Sequence, residues 1–267
     1  MITNIKLGVI GCGKMASAIL EGNFKNNYIK PDNVLIYDVN SDASRNLSEK
    51  FNFTPKNSIA EIVEESDIIF IATKPFVVND VLSEIKKNYK NQLIISILAG
   101  VKIEKYLSIL NNASIIRVMP NTPALVNEGM AAICPSSNVK EEEINFAYNF
   151  MKNCGKVVKV TEDKMDIITA LSGSGPAYYF RIIDLMAKSA VKLGLDYEQA
   201  LILSTQTALG SAKMIFENDY NVEQLIINVT TPGGCTEVGN SVLNESNIDK
   251  ILDKTIEDTM VKARNLA

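Results

Sequence analysis

Ile5-Lys6-Leu7-Gly8-Val9-Ile10-Gly11-Cys12-Gly13-Lys14-Met15-Ala16 is the stretch on which the reading turns. A short apolar run breaks on two glycines and reopens as the helical pattern Met15–Leu20. Gly11 permits a tight turn out of a strand. Gly13, without a side chain, lets a pyrophosphate approach the backbone at a helix N-terminus, and Ala16 still allows helix and strand to pack closely. Glycines at a strand–helix turn can be geometry alone, so the spacing carries little weight without its surroundings. Here it follows a first strand, opens a first helix, and precedes an acidic residue, Asp38, at the end of a second strand, Val34–Tyr37. That context predicts a dinucleotide cofactor, with Gly11, Cys12, Gly13, Lys14 and Met15 around its phosphates. Asp38 suits a ribose diol and NADH; Asn40, Ser41 and Arg45 follow at once and could hold the 2′-phosphate of NADPH. The Cys12 thiol reads as a small apolar filler, because nothing basic stands beside it to activate it.

Outward from this turn, further β-rich runs occur at Ile68–Ala72, Leu93–Ile97 and Ile115–Val118, alternating with helical stretches such as Ser41–Lys50, Ile59–Glu65 and Val77–Lys87. Continuous apolar strands separated by helices are buried on both faces, which predicts a doubly wound α/β sheet. Two more strand candidates, Met130–Cys134 and Lys156–Val160, flank a helix near Lys140–Lys152. After Thr161 the strand pattern stops. The remainder reads as helices broken by two glycine loops, at Ser172–Pro176 and Thr231–Gly234, so the division is residues 1–161 and 162–267. Ala177–Leu195 is apolar around most of its circumference, with Arg181, Asp184, Lys188 and Lys192 on one stripe. About a hundred residues make a small domain in which to bury such a helix, so part of its surface is expected to meet a second subunit.

Composition narrows the chemistry. The 267 residues include no histidine, which excludes a Ser-His-Asp or Cys-His couple, His-ligated zinc and an imidazole base. A net charge of −4 argues against a nucleic-acid or anionic-membrane surface. The four cysteines show no CxxC spacing, so no metal site is expected. Met1–Lys6 leads straight into the strand without the succession of a signal peptide, and no apolar run nears the roughly 20 residues of a membrane helix. These features predict a cytoplasmic protein.

Several segments together resemble Δ1-pyrroline-5-carboxylate reductase: Ile10–Ala16, Ala72-Thr73-Lys74-Pro75, Ser96–Val101, Arg117–Ala124, Leu171–Tyr178 and Thr231-Pro232-Gly233-Gly234-Cys235-Thr236. The resemblance covers nearly the whole chain. It implies a Rossmann-type nucleotide domain followed by an all-α dimerisation domain, and NAD(P)H-dependent reduction of a cyclic imino acid. It further implies subunits that interlock as dimers or rings of dimers, with active sites between one subunit's nucleotide domain and the other's helices. By position, Thr231, Gly234, Cys235 and Thr236 fall on the family's substrate contacts, with Gly233 in the same loop and Met119 lining the pocket. Asn57, within Thr54-Pro55-Lys56-Asn57, and Ala72, Lys74, Pro75 and Ala99 fall on its cofactor contacts.

The residues of the last loop make sense beside the resemblance. Two consecutive glycines before a helix expose backbone N–H groups, a nest for a carboxylate, and the Thr236 hydroxyl could meet the ring nitrogen. A helix–helix turn in which Thr236 merely caps is the plainer alternative. Cys235 stands where Ala or Thr is expected. Glu237 replaces an apolar residue and should point to solvent, because aimed at a substrate carboxylate it would repel. Lys74 reads as a cofactor-positioning residue and Arg117 as the partner of a buried carbonyl or carboxylate. The β-hydroxyacid dehydrogenases also resemble the chain at Gly173-Ser174-Gly175, but need a lysine where Tyr179 stands. A nucleotide sensor without turnover would have no reason to keep the Thr231–Thr236 loop.

Overall fold

The computed structural model describes residues 5–53, 55–217 and 221–266; Met1–Asn4, at the start of the stretch read for an export signal, and Thr54 lie outside them. Seven strands form one sheet: β1 (Leu7–Ile10), β2 (Val34–Tyr37), β3 (Ile68–Ile71), β4 (Leu93–Ser96), β5 (Ile115–Met119), β6 (Gly129–Pro135) and β7 (Gly155–Lys159). Their order is β2-β1-β3-β4-β5-β6-β7. β1 to β5 run parallel, β6 is antiparallel to β5, and β7 is parallel to β6. The strand order reverses between β1 and β3, the switch point where such sheets open a crevice at their carboxyl ends.

The helices of this half are α1 (Lys14–Lys25), α2 (Ser41–Phe51), α3 (Ile59–Glu65), α4 (Val78–Asn88), α5 (Ile103–Ile109) and α6 (Glu141–Lys152). Strand side chains alternate faces, and the sheet is buried on both. Val9, Phe70, Ile95 and Val118 pack on the face of α1 and α6. Ile10, Ile69, Ile71 and Ile94 pack on the face of α3, α4 and α5. Local signals set the helix ends. The Asn40 side chain accepts the Asp42 N–H at 3.0 Å and Ser58 Oγ accepts the Glu61 N–H at 3.2 Å. Asn52 closes α2 in the left-handed region, φ 60°, a conformation asparagine tolerates and most residues avoid.

The chain falls into two compact units, Met1–Ser174 with Thr259–Ala267, and Gly175–Asp258. The division expected at Thr161 marks the end of the strand pattern, while the first unit continues through α7 (Met165–Ile168) and a π-helical turn at Thr169–Gly173. The glycine loop expected at Ser172–Pro176 is therefore helical. The Ser174 N–H reaches back five residues to the Thr169 carbonyl at 2.9 Å, and Gly175 opens the next helix directly. Gly173 lies against Met119: a Cβ there would meet Met119 Cε, the far end of a flexible side chain that would have to move aside.

The second unit holds α8 (Gly175–Val191), α9 (Tyr197–Glu217), α10 (Val222–Val229), α11 (Cys235–Glu245) and the start of α12 (Ile248–Arg264). The helix expected through Leu195 stops at Val191, and the chain turns at Gly194, φ 107°. Asp184 on the polar stripe of α8 pairs with Lys188 at 2.8 Å and accepts the Tyr197 hydroxyl at 3.0 Å. Among the described residues, α8 to α11 bury only Gly175, Ala187 and Ala200, while Phe180, Met186, Ile202 and Ile227 stand more than half exposed.

Candidate active site

The residues expected to hold a cofactor gather at the carboxyl ends of β1 to β4. Gly11 leaves β1 at φ 101° and donates its N–H to the Tyr37 carbonyl at 2.8 Å. A Cβ at Gly11 would lie 2.7 Å from the backbone carbonyl of Ala72. The turn thus needs glycine for its dihedral angle and for the closeness of the next strand. Gly13 is the N-cap of α1 and has no side chain to satisfy the first N–H groups, and the first turn carries no acidic residue. A Cβ built on Gly13 would meet nothing within 4 Å, so the space before the helix is open. Bare N–H groups, a favourable helix dipole and clear space in front fit a pyrophosphate. Lys14 at the mouth of the turn is exposed and Met15 half-buried.

Cys12 is 6% exposed. Burial, and secondarily the Asp38 carboxylate, push its thiol up to about 12, so it stays a neutral filler. Its backbone N–H, by contrast, donates to Asp38 Oδ2 at 2.7 Å, while Asp38 Oδ1 accepts the Asn40 N–H at 2.8 Å. Beyond Asp38 lies an open groove of about 680 Å³, also lined by Ser41, Arg45, Lys56 and Asn57. The Lys56 N–H extends the β2 edge by donating to the Ile36 carbonyl at 2.8 Å, which carries Asn57 to the groove. Ala72 follows β3 and donates its N–H to the Ile10 carbonyl at 2.8 Å. Lys74 is exposed, Pro75 opens a short 3₁₀ turn behind it, and Ala99 follows β4, half-buried.

Met119 ends β5 and packs against Gly173. Asn121, which the sequence reading passed over, ties this corner together. Its amide donates to the Ser172 carbonyl at 3.2 Å and accepts the Met130 N–H at 2.8 Å. Arg117 is 2% exposed within β5 and pairs with Glu162 at 3.2 Å and Asp166 at 3.8 Å. Glu162 also accepts the Ile103 N–H at 2.7 Å, and Asp166 pairs with Arg264 at 3.6 Å. Arg117 is thus the carboxylate partner expected.

In the second unit, Thr231–Gly234 is a type II turn with Pro232 second, Gly233 third at φ 75°, and the Gly234 N–H donating to the Thr231 carbonyl at 2.9 Å. Gly234 is the N-cap of α11 and supplies no side-chain cap. Thr236 is the second residue of that helix, exposed, so it does not play the capping part. Cys235 is an exposed free thiol at the first helical position. Glu237 departs from expectation: rather than pointing away, its carboxylate folds back and accepts the Gly233 N–H at 2.7 Å. The nest recruits the nearest anion, and on this chain that is its own side chain.

Residues 162–266 match the family model "Pyrroline-5-carboxylate reductase dimerisation", and residues 6–100 match "NADP oxidoreductase coenzyme F420-dependent". The chain is 39% identical to the pyrroline-5-carboxylate reductase of Methanosarcina acetivorans over 92% of each chain. With that of Escherichia coli it shares 35% over 98% of each. The chain belongs to the pyrroline-5-carboxylate reductase family. Solved structures agree: the pyrroline-5-carboxylate reductase of Coxiella burnetii superimposes with a TM-score of 0.92 at 32% identity, covering 98% of both chains. The Plasmodium falciparum pyrroline carboxylate reductase, solved with NADP bound, gives 0.89 at 33%, covering 100% of this chain and 99% of that one. A ketol-acid reductoisomerase at 15% identity and TM-score 0.67 shares the fold alone. Within the reductase family, the match to a dimerisation domain accounts for the apolar faces left bare on α8 to α11.

Proposed function

We propose that this chain reduces 1-pyrroline-5-carboxylate to L-proline at the expense of NAD(P)H, the last step of proline biosynthesis. Full-length membership of the reductase family carries the reading, and the open, uncapped α1 N-terminus behind Gly13 supports it. The bound nicotinamide supplies hydride to the imine carbon. The chain's own residues bind and orient. Gly11–Met15 seat the pyrophosphate, Asp38 and Asn57 the adenosine end, and Ala72, Lys74, Pro75 and Ala99 the strand ends beside it. The Thr231–Thr236 nest, with Gly233, Gly234 and Cys235 contributing backbone, holds the substrate carboxylate, and Met119 is assigned to the substrate pocket by its position in the family's motif. The Thr236 hydroxyl, not consumed by capping, orients the ring nitrogen. A substrate that arrives as its protonated iminium asks for no protein acid, so rate comes from orientation and electrostatics.

A dimer, or a ring built from dimers, and a cytoplasmic setting go with this reading, in which all four cysteines are free thiols. Steady-state oxidation of reduced cofactor with pyrroline-5-carboxylate tests it. Thr236→Ala should lower kcat by roughly 10- to 100-fold, the scale of a lost positioning contact, with cofactor Kd unchanged. No turnover by the wild-type chain refutes the reading, and undiminished kcat in the variant removes Thr236 from it.

A further inference from the structure

We propose that the groove beyond β2 selects NADH over NADPH, with Asp38 as the specificity-determining residue. This rests on the reductase reading above and concerns only the adenosine end of the cofactor. Sequence left two options at this place, a diol held by Asp38 or a 2′-phosphate held by Asn40, Ser41 and Arg45. The geometry separates them.

The Asp38 carboxylate is fixed. One oxygen accepts the N–H of Cys12 in the glycine turn and the other the N–H of Asn40, at 2.7 and 2.8 Å. It cannot swing aside to admit a second anion without releasing the turn that seats the pyrophosphate. Each oxygen keeps a further lone pair, and a vicinal diol brings two O–H donors to match them. The cations that would hold a 2′-phosphate already have carboxylate partners. The Asn40 side-chain oxygen caps α2 by accepting the Asp42 N–H, which leaves only its neutral amide N–H groups as donors. Arg45 pairs with Asp42 at 3.4 Å, and Lys56, the other cation lining the groove, pairs with Glu65 at 2.6 Å. Ser41 offers a neutral hydroxyl. A phosphomonoester bearing close to two negative charges would therefore meet a fixed carboxylate, with both nearby cations already neutralised.

Binding to the full-length protein, followed by reduced-nicotinamide fluorescence, tests the preference without turnover. NADH should bind at least about tenfold more tightly than NADPH, a modest share of what like-charge juxtaposition costs across a binding face. Adenosine 5′-phosphate should likewise outcompete adenosine 2′,5′-bisphosphate, which differs only by the disputed phosphate. Asp38→Asn keeps an acceptor for the Cys12 N–H and removes the charge; it should shrink the NADH:NADPH ratio about tenfold, mainly by tightening NADPH. NADPH binding as well as or better than NADH in the wild-type protein overturns the proposal, as does a ratio unmoved in a folded Asp38→Asn. The competition on the wild-type chain decides the matter should the variant fail to fold. Absence of binding by either cofactor would instead remove the reductase reading itself.

Discussion

Replacing Arg117 by methionine tests the buried ion-pair network that joins β5 to the segment after β7. The guanidinium lies 2% exposed in β5 and faces two carboxylates from the segment that follows β7. Breaking a buried ion pair by removing one partner costs about 3–5 kcal/mol, most of it from the charge left behind. Both carboxylates here retain help. Glu162 keeps the Ile103 N–H and is a third exposed; Asp166 keeps Arg264. The expected loss is therefore nearer 2–3 kcal/mol, which at about 2–4 °C per kcal/mol for a chain of this size lowers Tm by roughly 5–10 °C. Thermal unfolding must be followed at one fixed protein concentration, because association contributes to apparent stability. The network joins β5 to the Glu162–Asp166 segment and to Arg264 near the C-terminus, so amide exchange should also quicken around Asp166 and Ala263. Glu162→Gln should cost less, since Arg117 keeps Asp166. A methionine variant within about 0.5 kcal/mol of wild type, the range of surface changes, would refute the claim that the buried charge holds this corner.

Gly11→Ala should be more damaging than its size suggests. It combines a left-handed dihedral with a 2.7 Å approach to Ala72 backbone, and about 2–4 kcal/mol of strain and overpacking follow. Urea unfolding and cofactor Kd should both worsen, and a neutral variant would contradict the close-approach argument. With a disulfide reagent at pH 8, Cys235 alone should react quickly, because Cys12, Cys134 and Cys154 are buried and held up to about 12, 11 and 11. Above pH 9 the unfolded chain ionises these thiols at their ordinary value of 9.0 while the folded chain does not. Stability should therefore fall as pH rises from 9 towards 12, and a flat alkaline limb would refute the burial argument. Glu237→Ala should lower KM for the imino acid several-fold at constant kcat, by freeing the Gly233 N–H and removing a like charge from the nest. A raised KM would mean instead that Glu237 holds the turn in shape.

The sheet was legible because its signal is local. Most strands are short apolar runs, β7 (GKVVK) being the exception, and each expected run lies on a strand within about two residues. What differed has two sources, local hydrogen bonds that composition does not reveal and contacts between distant segments. Ser172–Pro176 has the composition of a loop, yet a five-residue hydrogen-bond reach and a contact with Met119 keep it helical. Glycine density says that the backbone is free, not where the freedom goes. Glu237 suits the dipole of the helix in whose first turn it sits and stays exposed, but its carboxylate folds back onto the Gly233 N–H four residues earlier instead of pointing away. Asn121 and the Arg264–Asp166 pair join positions far apart in sequence, so no window of residues could have shown them. The positions expected to hold a cofactor gather at one edge because neighbouring strands of a parallel sheet end on the same side.

The two halves of the chain stand in different thermodynamic positions, and this bears on how a reductase of this family is held together. The first unit buries large side chains on both faces of its sheet, Phe70, Tyr106 and Phe150 among them, and so has a core of its own. The helices α8 to α11 bury a glycine and two alanines. At about 25 cal/mol per Å², two alanine side chains cannot offset the roughly 1–2 kcal/mol per residue lost on ordering four helices. The missing apolar burial has an evident source in Phe180, Met186, Ile202 and Ile227, bare in the single chain and lying within the segment matched to a dimerisation domain. Self-association, which the dimerisation-domain match supports, would cover these side chains and so add to the stability of the helical unit. The Thr231–Thr236 turn, proposed above to take the substrate carboxylate, is built at the start of α11 in this same unit.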